Sequence, residues 1–211
     1  MSLLGISDFG LFCLAVLLLN ATPGPDTAYI VGRSVAQGRA AGLVSALGIA
    51  LGICVHSLLS ALGLSALLAA SATAFLMIKL AGGAYLVFLG ARMLLAPAAA
   101  AAVDRQPSAR PLRTIFWQAA LTNLLNPKVI LFFLSFFPQF VHPSSGHKTA
   151  AFLLLGAAFV IMSTFWNSGT ALLAGTLTHR AGRNPHIRQW LERTVGAAFI
   201  ALGLKLALSR S

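Results

Sequence analysis

The chain alternates between long apolar segments and short polar stretches. Six segments have the length that an α-helix needs to cross a hydrocarbon core about 30 Å thick, which is about 20 residues. They cover residues 9–38, 40–69, 73–95, 114–141, 148–178 and 188–208. This pattern predicts an all-α integral membrane protein with six transmembrane helices.

Two of the six segments are interrupted near their middles. The first contains Pro23-Gly24-Pro25, and the fourth contains Asn126-Pro127. Proline removes a backbone donor and clashes with the preceding turn, and glycine adds conformational freedom, so helices 1 and 4 are expected to be broken. Broken backbone inside a membrane is tolerated only where it packs in protein or lines a cavity. We interpret both breaks as the lining of a transport cavity.

The two halves of the chain follow the same plan, a broken helix followed by two unbroken ones. Residues 1–95 and 114–211 are therefore predicted to form two three-helix repeats of a single transmembrane domain, residues 1–211. A linker rich in Ala and Pro joins them at residues 96–113. Three spans per half insert the halves in opposite senses, which is the inverted-repeat plan of many secondary transporters.

Composition and charge agree with a membrane protein. The chain is 58% hydrophobic and 9% charged, too apolar for a soluble domain of 211 residues. Its net charge of +11 would suggest a nucleic-acid partner in a soluble protein. Here the Lys and Arg lie mostly in short loops, with Arg33 and Arg39 assigned to the first connection, as the positive-inside rule requires. The expected partner is the lipid bilayer and not nucleic acid.

The loop charges also predict an orientation. The odd-numbered connections, including the 96–113 linker, carry most of the Arg and are expected to be cytoplasmic, which leaves both termini outside. No Lys or Arg precedes the first apolar segment, so a cleaved signal peptide is not expected, and the predicted location is a bacterial inner membrane. The glycine-rich faces of helices 2 and 3 suit either internal packing or a homodimer contact.

The breaks predict a receptor for an amino acid. A half-helix restarts after each break, capped by Asp26 or Thr27 in the first case and by Asn126, with Pro127 next, in the second. The restarted half-helices direct free N–H groups toward the centre, which suits a carboxylate. The preceding half-helices end there with free carbonyls, which suit an ammonium group.

Charged and polar side chains extend this prediction. Asp26 is expected to receive the substrate ammonium or a coupling proton, and Lys128 to help hold the substrate carboxylate; a salt bridge between the two is the alternative. Lys79 points either inward or toward the membrane interface. The full predicted set for substrate binding or coupling is Asn20, Thr22, Pro23, Gly24, Pro25, Asp26, Lys79, Asn123, Asn126, Pro127 and Lys128.

Three residues outside this set complete the polar inventory. Gln118 is a further polar candidate, and Asn167 either lines the path or bonds two helices together. His56 is expected to be a packing residue rather than a proton relay. The polar side chains at the breaks have an alternative role of their own, which is hydrogen bonding to the freed backbone.

Four stretches in this order resemble the LysE/RhtB family of bacterial amino-acid exporters: residues 20–26, 32–42, 79–90 and 121–128. The resemblance implies export of amino acids or close derivatives, such as homoserine, threonine or homoserine lactone, driven by the proton gradient. Of the four acidic residues only Asp26 lies deep in an apolar segment, which favours a neutral substrate over a basic one.

Two other classes were weighed against an exporter of amino acids. A membrane thiol–disulfide carrier needs a cysteine at each break, whereas Cys13 and Cys54 lie elsewhere. Metal sites need clustered carboxylates, His or Cys, so neither a metal nor a cofactor nor an enzymatic activity is expected. Export of a monovalent ion or of another metabolite remains open at this point.

Overall fold

The computed structural model describes residues 3–64, 109–142 and 144–177, with isolated helical positions between 66 and 95 and between 193 and 204. The described helices are α1 (Phe9–Ala21), α2 (Pro25–Leu59), α3 (Leu112–Leu124), α4 (Pro127–Leu131) and α5 (Lys148–Leu177). The predicted third and sixth helices lie largely outside the described residues. Lys79 and most of the linker, up to residue 108, also lie outside them.

The chain folds back on itself at Gly38, inside α2. A straight helix from Pro25 to Leu64 would contain 40 residues and would be about 60 Å long, twice the thickness of a bilayer core. Instead, Ser34 lies directly against Gly42, and Gly38 has φ 82° and ψ 179°, a conformation that favours glycine. Residues 25–37 and 39–59 therefore form two antiparallel arms, called the first and second arm of α2. The turn lies where the sequence predicts the boundary between helices 1 and 2.

Helix α3 packs along both arms of α2. It runs antiparallel to the first arm: the Gln37 side chain exchanges hydrogen bonds of 2.9 and 3.1 Å with the backbone of Arg110 at one end. At the other end Asn123 reaches Asp26. Asn123 also lies against Gly52 of the second arm. Both arms thus meet the end of α3, which brings residues 26 and 52 close together.

Two glycines allow this close approach of α3 to the second arm. A Cβ atom at Gly48 would lie 2.8 Å from Cβ of Ala119 and closer still to the carbonyl oxygen of Phe116. A Cβ atom at Gly52 would lie 2.5 Å from Oδ1 of Asn123. The backbones of the two helices therefore touch without intervening side chains, as small residues permit in membrane proteins.

Gly48→Ala is expected to lower the thermal unfolding midpoint of the purified protein in detergent. The added methyl group meets backbone, which cannot rotate away, and overpacking of this kind costs about 1–3 kcal/mol. Gly32→Ala is the matched control on the first arm, because no atom of the described residues lies within 4 Å of a Cβ built at that position. Alanine is the better helix former by about 1 kcal/mol, so this variant should be as stable as the parent or more so. Equal shifts in the two variants would contradict the packing described here.

The second half differs from the prediction of one helix over 114–141 with a single interruption. The segment does break at residues 125–126, and the parts on either side are bent by 47°. Helix α4, however, has only five residues; a π-helical turn, Phe132–Phe136, and a 3₁₀ turn, Phe137–Phe140, follow it. Pro138 lacks an N–H group, so a regular α-helix cannot continue through this segment.

Buried aromatic rings hold this irregular segment in place. Phe132, Phe133, Phe136 and Phe137 are each at most 2% exposed. They pack on one another and on rings from α1 and α5, such as Phe12 against Phe137 at 5.5 Å between ring centroids. The core of the described region therefore centres on phenylalanines. Burial of their apolar surface, rather than a regular helix, stabilises this segment.

The described part of the chain has the character of an all-α membrane protein. Residues Pro25–Leu64 and Lys148–Ala174 are long and apolar enough to cross a membrane, and the bent pair Leu112–Leu124 and Pro127–Phe140 becomes a third span if counted together. Helix α5 matches the predicted fifth helix within one residue. Near the N-terminus, Ser7 N–H donates to the carbonyl of Phe140 at 2.9 Å. The N-terminal segment thus lies at the same end of the molecule as the connection before α5.

Candidate functional site

The two helix breaks meet in space. Helix α1 ends at Ala21, and α2 restarts at Pro25. Helix α3 ends at Leu124, and α4 restarts at Pro127. In both restarts a proline occupies the first helical position, where its missing N–H costs nothing, and a charged residue follows it. Asp26 and Lys128 are therefore equivalent in their local structure, as the sequence predicts.

The caps of the restarted helices follow the prediction in one case and not in the other. Oδ1 of Asn126 accepts a hydrogen bond from the N–H of Lys128 at 3.1 Å, which confirms the predicted cap of α4. The predicted cap of α2 by Asp26 or Thr27 is wrong: Gly24 occupies the cap position, without a side-chain bond. Gly24 has φ −161°, an extended conformation open to any residue, so its conformational freedom is not what the break uses. The carboxylate of Asp26 does not cap α2 and instead accepts a hydrogen bond from Asn123 of α3.

Asp26 has one bonded and one unbonded oxygen. Its Oδ2 accepts from Nδ2 of Asn123 at 2.7 Å, a bond between the two breaks. Within the described part of the chain its buried Oδ1 has no hydrogen-bond partner, and the same is true of Oδ1 of Asn123. Unbonded buried acceptors are costly, so the Asp26 oxygen can bind a proton or a donor group, and the Asn123 amide oxygen can accept from a donor.

Lys128 crosses from the second break to the first. Its Nζ donates to the backbone carbonyls of Leu19 at 2.5 Å and of Thr22 at 2.8 Å, at the end of α1. Within the described residues neither oxygen of Asp26 bonds this ammonium group, so the alternative of a direct salt bridge between the two residues is not what the chain adopts. The ammonium group thus joins the second break to the backbone of the first.

The remaining polar residues of the first break bond to protein groups. Nδ2 of Asn20 donates to Oγ of Ser163 on α5 at 2.9 Å, which ties the break to the longest unbroken helix. The hydroxyl of Thr22 donates to the carbonyl of Leu18 at 2.7 Å, the backbone role weighed as its alternative. Pro23 is exposed, as is Pro25.

A small cavity lies between the breaks. Its volume is about 20 Å³, room for about one water molecule. An amino acid requires the walls to separate. The walls include six of the predicted residues: Asn20, Gly24, Asp26, Asn123, Asn126 and Lys128. Asn167 of α5 also lines the cavity, which agrees with the first of its two predicted roles.

Other residues considered from sequence lie around this cavity without lining it. Nε2 of His56 lies 3.4 Å from the carbonyl of Asn123, and the ring stacks on Phe133, which agrees with the expected packing role. Gln118 accepts a bond from the hydroxyl of Tyr29 at 3.2 Å. Cys13 and Cys54 are free thiols within α1 and α2, and neither belongs to a break in its helix.

The prediction that Arg33 lies in a loop is wrong. It was assigned to the first connection, but it lies within the first arm of α2 and the residue is 5% exposed. Its guanidinium lies over the ring of Tyr29, 5.5 Å from the centroid, and donates to Gln37 at 3.0 Å and Gln118 at 3.4 Å. Aromatic and amide groups thus solvate a charge that does not face water.

Sequence reasoning missed one residue of this region. Ser163 is fully buried on α5 and receives the bond from Asn20. It lies four residues before Asn167, so both face the same side of the helix. The i, i+4 spacing from Asn167 does not single out Ser163, because Thr164 and Ser168 repeat it one residue later in the same helix.

The whole chain is similar to known bacterial membrane proteins. The profile of the LysE type translocator family matches residues 17–210. An uncharacterized membrane protein of Pseudomonas aeruginosa is 36% identical over 214 residues, covering 98% of each chain. A second one, from Vibrio cholerae, is 32% identical over 202 residues, covering 95% of this chain and 96% of the relative. The leucine efflux protein of Salmonella typhimurium is 27% identical over 207 residues, covering 98% of each chain.

No solved structure matches the chain. The relatives and the apolar helices identify a multi-pass protein of the bacterial inner membrane. With a family match that extends over nearly its entire length, the chain belongs to the LysE-type translocator family.

Proposed function

We propose that this protein exports neutral amino acids, or close derivatives such as homoserine and threonine, in exchange for protons. The observation that carries the proposal is the meeting of the two helix breaks, about 100 residues apart in sequence, at one cavity lined by Asp26 and Lys128. The similarity to a leucine efflux protein supports a neutral amino acid as the substrate.

Asp26 is the proposed coupling residue. Its unbonded oxygen lies at the cavity, where it can bind either a proton or the ammonium group of a substrate. Competition of the two for one carboxylate produces antiport, because each must leave before the other binds. The first-turn N–H groups of α2, which have no partner within the helix, lie beside it and suit the substrate carboxylate.

The proposed transport cycle uses the two repeats, residues 1–95 and 114–211, as inverted units that rock around the cavity. The contacts that support this are those between the breaks themselves: Asn123 to Asp26, and Lys128 to the end of α1. They are few and polar, so the two halves can exchange them as they move. The closed cavity then corresponds to one intermediate of the cycle.

Two measurements test the function. Cells that lack their own exporters are fed dipeptides, and the protein should lower the internal concentration of a neutral amino acid while raising the external one. In inverted vesicles with an acidic interior, adding the same amino acid should release protons from the lumen in step with its uptake. Release of a basic amino acid only, or uptake without proton movement, would contradict the proposed substrate class or the proposed coupling, respectively.

A further inference from the structure

The carbonyl oxygens of Leu19 and Thr22, here called the carbonyl cradle, form a cation site. The last carbonyls of an α-helix have no partner within the helix, and the helix dipole adds negative potential there. The carbonyl of Leu18 is satisfied by the N–H and the hydroxyl of Thr22. The next free carbonyl, that of Leu19, and the carbonyl of Thr22 converge on one nitrogen atom.

The occupant of the cradle is a side chain from the other break. Nζ of Lys128 uses two of its three N–H donors on the cradle carbonyls. The side chain lies across Gly24: a Cβ atom built there would be 3.7 Å from Nζ and 3.8 Å from Cδ. Lys128 therefore closes over the first break and fills space that would otherwise belong to the cavity.

A primary ammonium group is also what the α-amino end of an amino acid presents. The charge, the number of donors and the tetrahedral geometry are the same in the two groups. Leu19, Asp26 and Lys128 line the same cavity, so a substrate ammonium bound near Asp26 would share that cavity with the carbonyl of Leu19. Because both cradle carbonyls already accept from Nζ of Lys128, the substrate ammonium and the Lys128 ammonium cannot occupy the cradle together.

We propose that Lys128 is an internal substitute for the substrate's ammonium group: it occupies the cradle in the substrate-free protein, and the substrate displaces it. The inference rests on the proposed function for the identity of the substrate but not for the existence of the cation site. It gives Lys128 a role different from that of a carboxylate-binding lysine. It also explains how the substrate-free carrier avoids leaving these two carbonyls unpaired at low dielectric while it returns.

Binding of two fragments of leucine tests the assignment. Isopentylamine is leucine without its carboxylate, and 4-methylpentanoate is leucine without its ammonium. In purified Lys128→Met protein, isopentylamine should bind about tenfold more tightly than in the parent, since a site that is free a tenth of the time loses that factor in apparent affinity. Binding of 4-methylpentanoate should not change. A carboxylate-binding lysine predicts the reverse, which is weaker binding of the acid and unchanged binding of the amine, and that result would overturn the proposal.

Two further variants keep the test decisive. Lys128→Gln retains N–H donors for the cradle, so it preserves the end of α1 if Lys128→Met does not fold. A neutral amide is held more weakly by carbonyls than an ammonium group, so the amine should displace it more easily and bind more tightly than in the parent. Lys148→Met removes a lysine at the start of α5, away from the breaks, and should bind both fragments as the parent does. Unchanged amine affinity in a folded Lys128→Gln protein would overturn the proposal.

The same proteins are used to test which cations the cradle binds. Thermal unfolding of Lys128→Met is measured in sodium chloride, in potassium chloride and in choline chloride, each with and without isopentylamine. A rise in unfolding temperature with the amine alone is expected. An equal rise with sodium or potassium would identify a general monovalent-cation site and overturn the assignment to a primary ammonium. Amine binding that behaves as expected in a protein that exports no amino acid would leave the cradle standing and remove the proposed function.

Discussion

Asp26→Asn is expected to abolish proton-coupled export while leaving the protein folded. Asparagine has the same shape and can still accept the 2.7 Å bond from Asn123. Its amide, unlike a carboxylate, neither takes up nor releases a proton at physiological pH. Uphill export should fall at least about tenfold, the factor that corresponds to 1.4 kcal/mol, while downhill exchange of substrate can persist. The measurement is substrate-dependent proton release from inverted vesicles, with the amount of folded protein determined in the same membranes.

Asp8→Asn is the matched control for that experiment. Asp8 precedes α1, is exposed and makes no side-chain capping bond, so the same change of charge there should leave export unaltered. Normal proton-coupled exchange by the Asp26→Asn protein would remove Asp26 from the mechanism. Loss of export in both variants would point to net charge rather than to the cavity.

The positions of the breaks could be predicted because proline acts locally. Pro25 and Pro127 each remove a donor whatever surrounds them, and both begin a helix in the structure. The turn at Gly38 could be predicted from length, because the apolar stretch is too long for a single helix that crosses the membrane once. The effect of a proline on its own backbone is local, so it can be predicted from the sequence alone.

The partners of the charged residues could not be predicted, because they depend on tertiary placement. For Lys128, no local pattern indicates that its long side chain reaches carbonyls more than 100 residues away in sequence. Arg33 was assigned to a loop by a rule that treats arginine as exposed, whereas Tyr29 and two glutamines provide a buried site for it. Tyr29 and Gln37 lie one helical turn from Arg33 on either side. Gln118, in contrast, is 85 residues away in sequence and is brought there by the packing of α3.

The irregular segment 132–140 shows a different limit. Its phenylalanines are apolar at nearly every position, so their pattern does not distinguish an α-helix from the π and 3₁₀ turns that form. The choice depends on how the rings interlock with α1 and α5. Pro138 prevents a regular helix through this segment but does not determine which alternative replaces it, and the prediction of one helix over 114–141 did not take it into account.

Asn123→Leu is expected to reduce export about as much as Asp26→Asn, although Asn123 carries no charge. It is fully buried, and it supplies the bond that fixes the orientation of the Asp26 carboxylate. Leucine is similar in size but has no donor, so neither oxygen of Asp26 would then be bonded. An unsatisfied buried group costs about 1–3 kcal/mol, and more when charged. Asn123 is a positioning residue in this account, and export should fall with little change in the amount of folded protein.

Thr122→Val is the control on the same turn of α3. The hydroxyl of Thr122 bonds only to the carbonyl of Gln118 within its own helix, at 2.7 Å, so its removal should leave export close to that of the parent. A double variant then separates positioning from general damage. If Asn123 acts through Asp26, adding Asn123→Leu to Asp26→Asn should reduce export little further, because two changes to one interaction are not additive. Multiplied losses in the double variant would show that Asn123 acts independently, through its own unbonded oxygen at the cavity and not through the carboxylate.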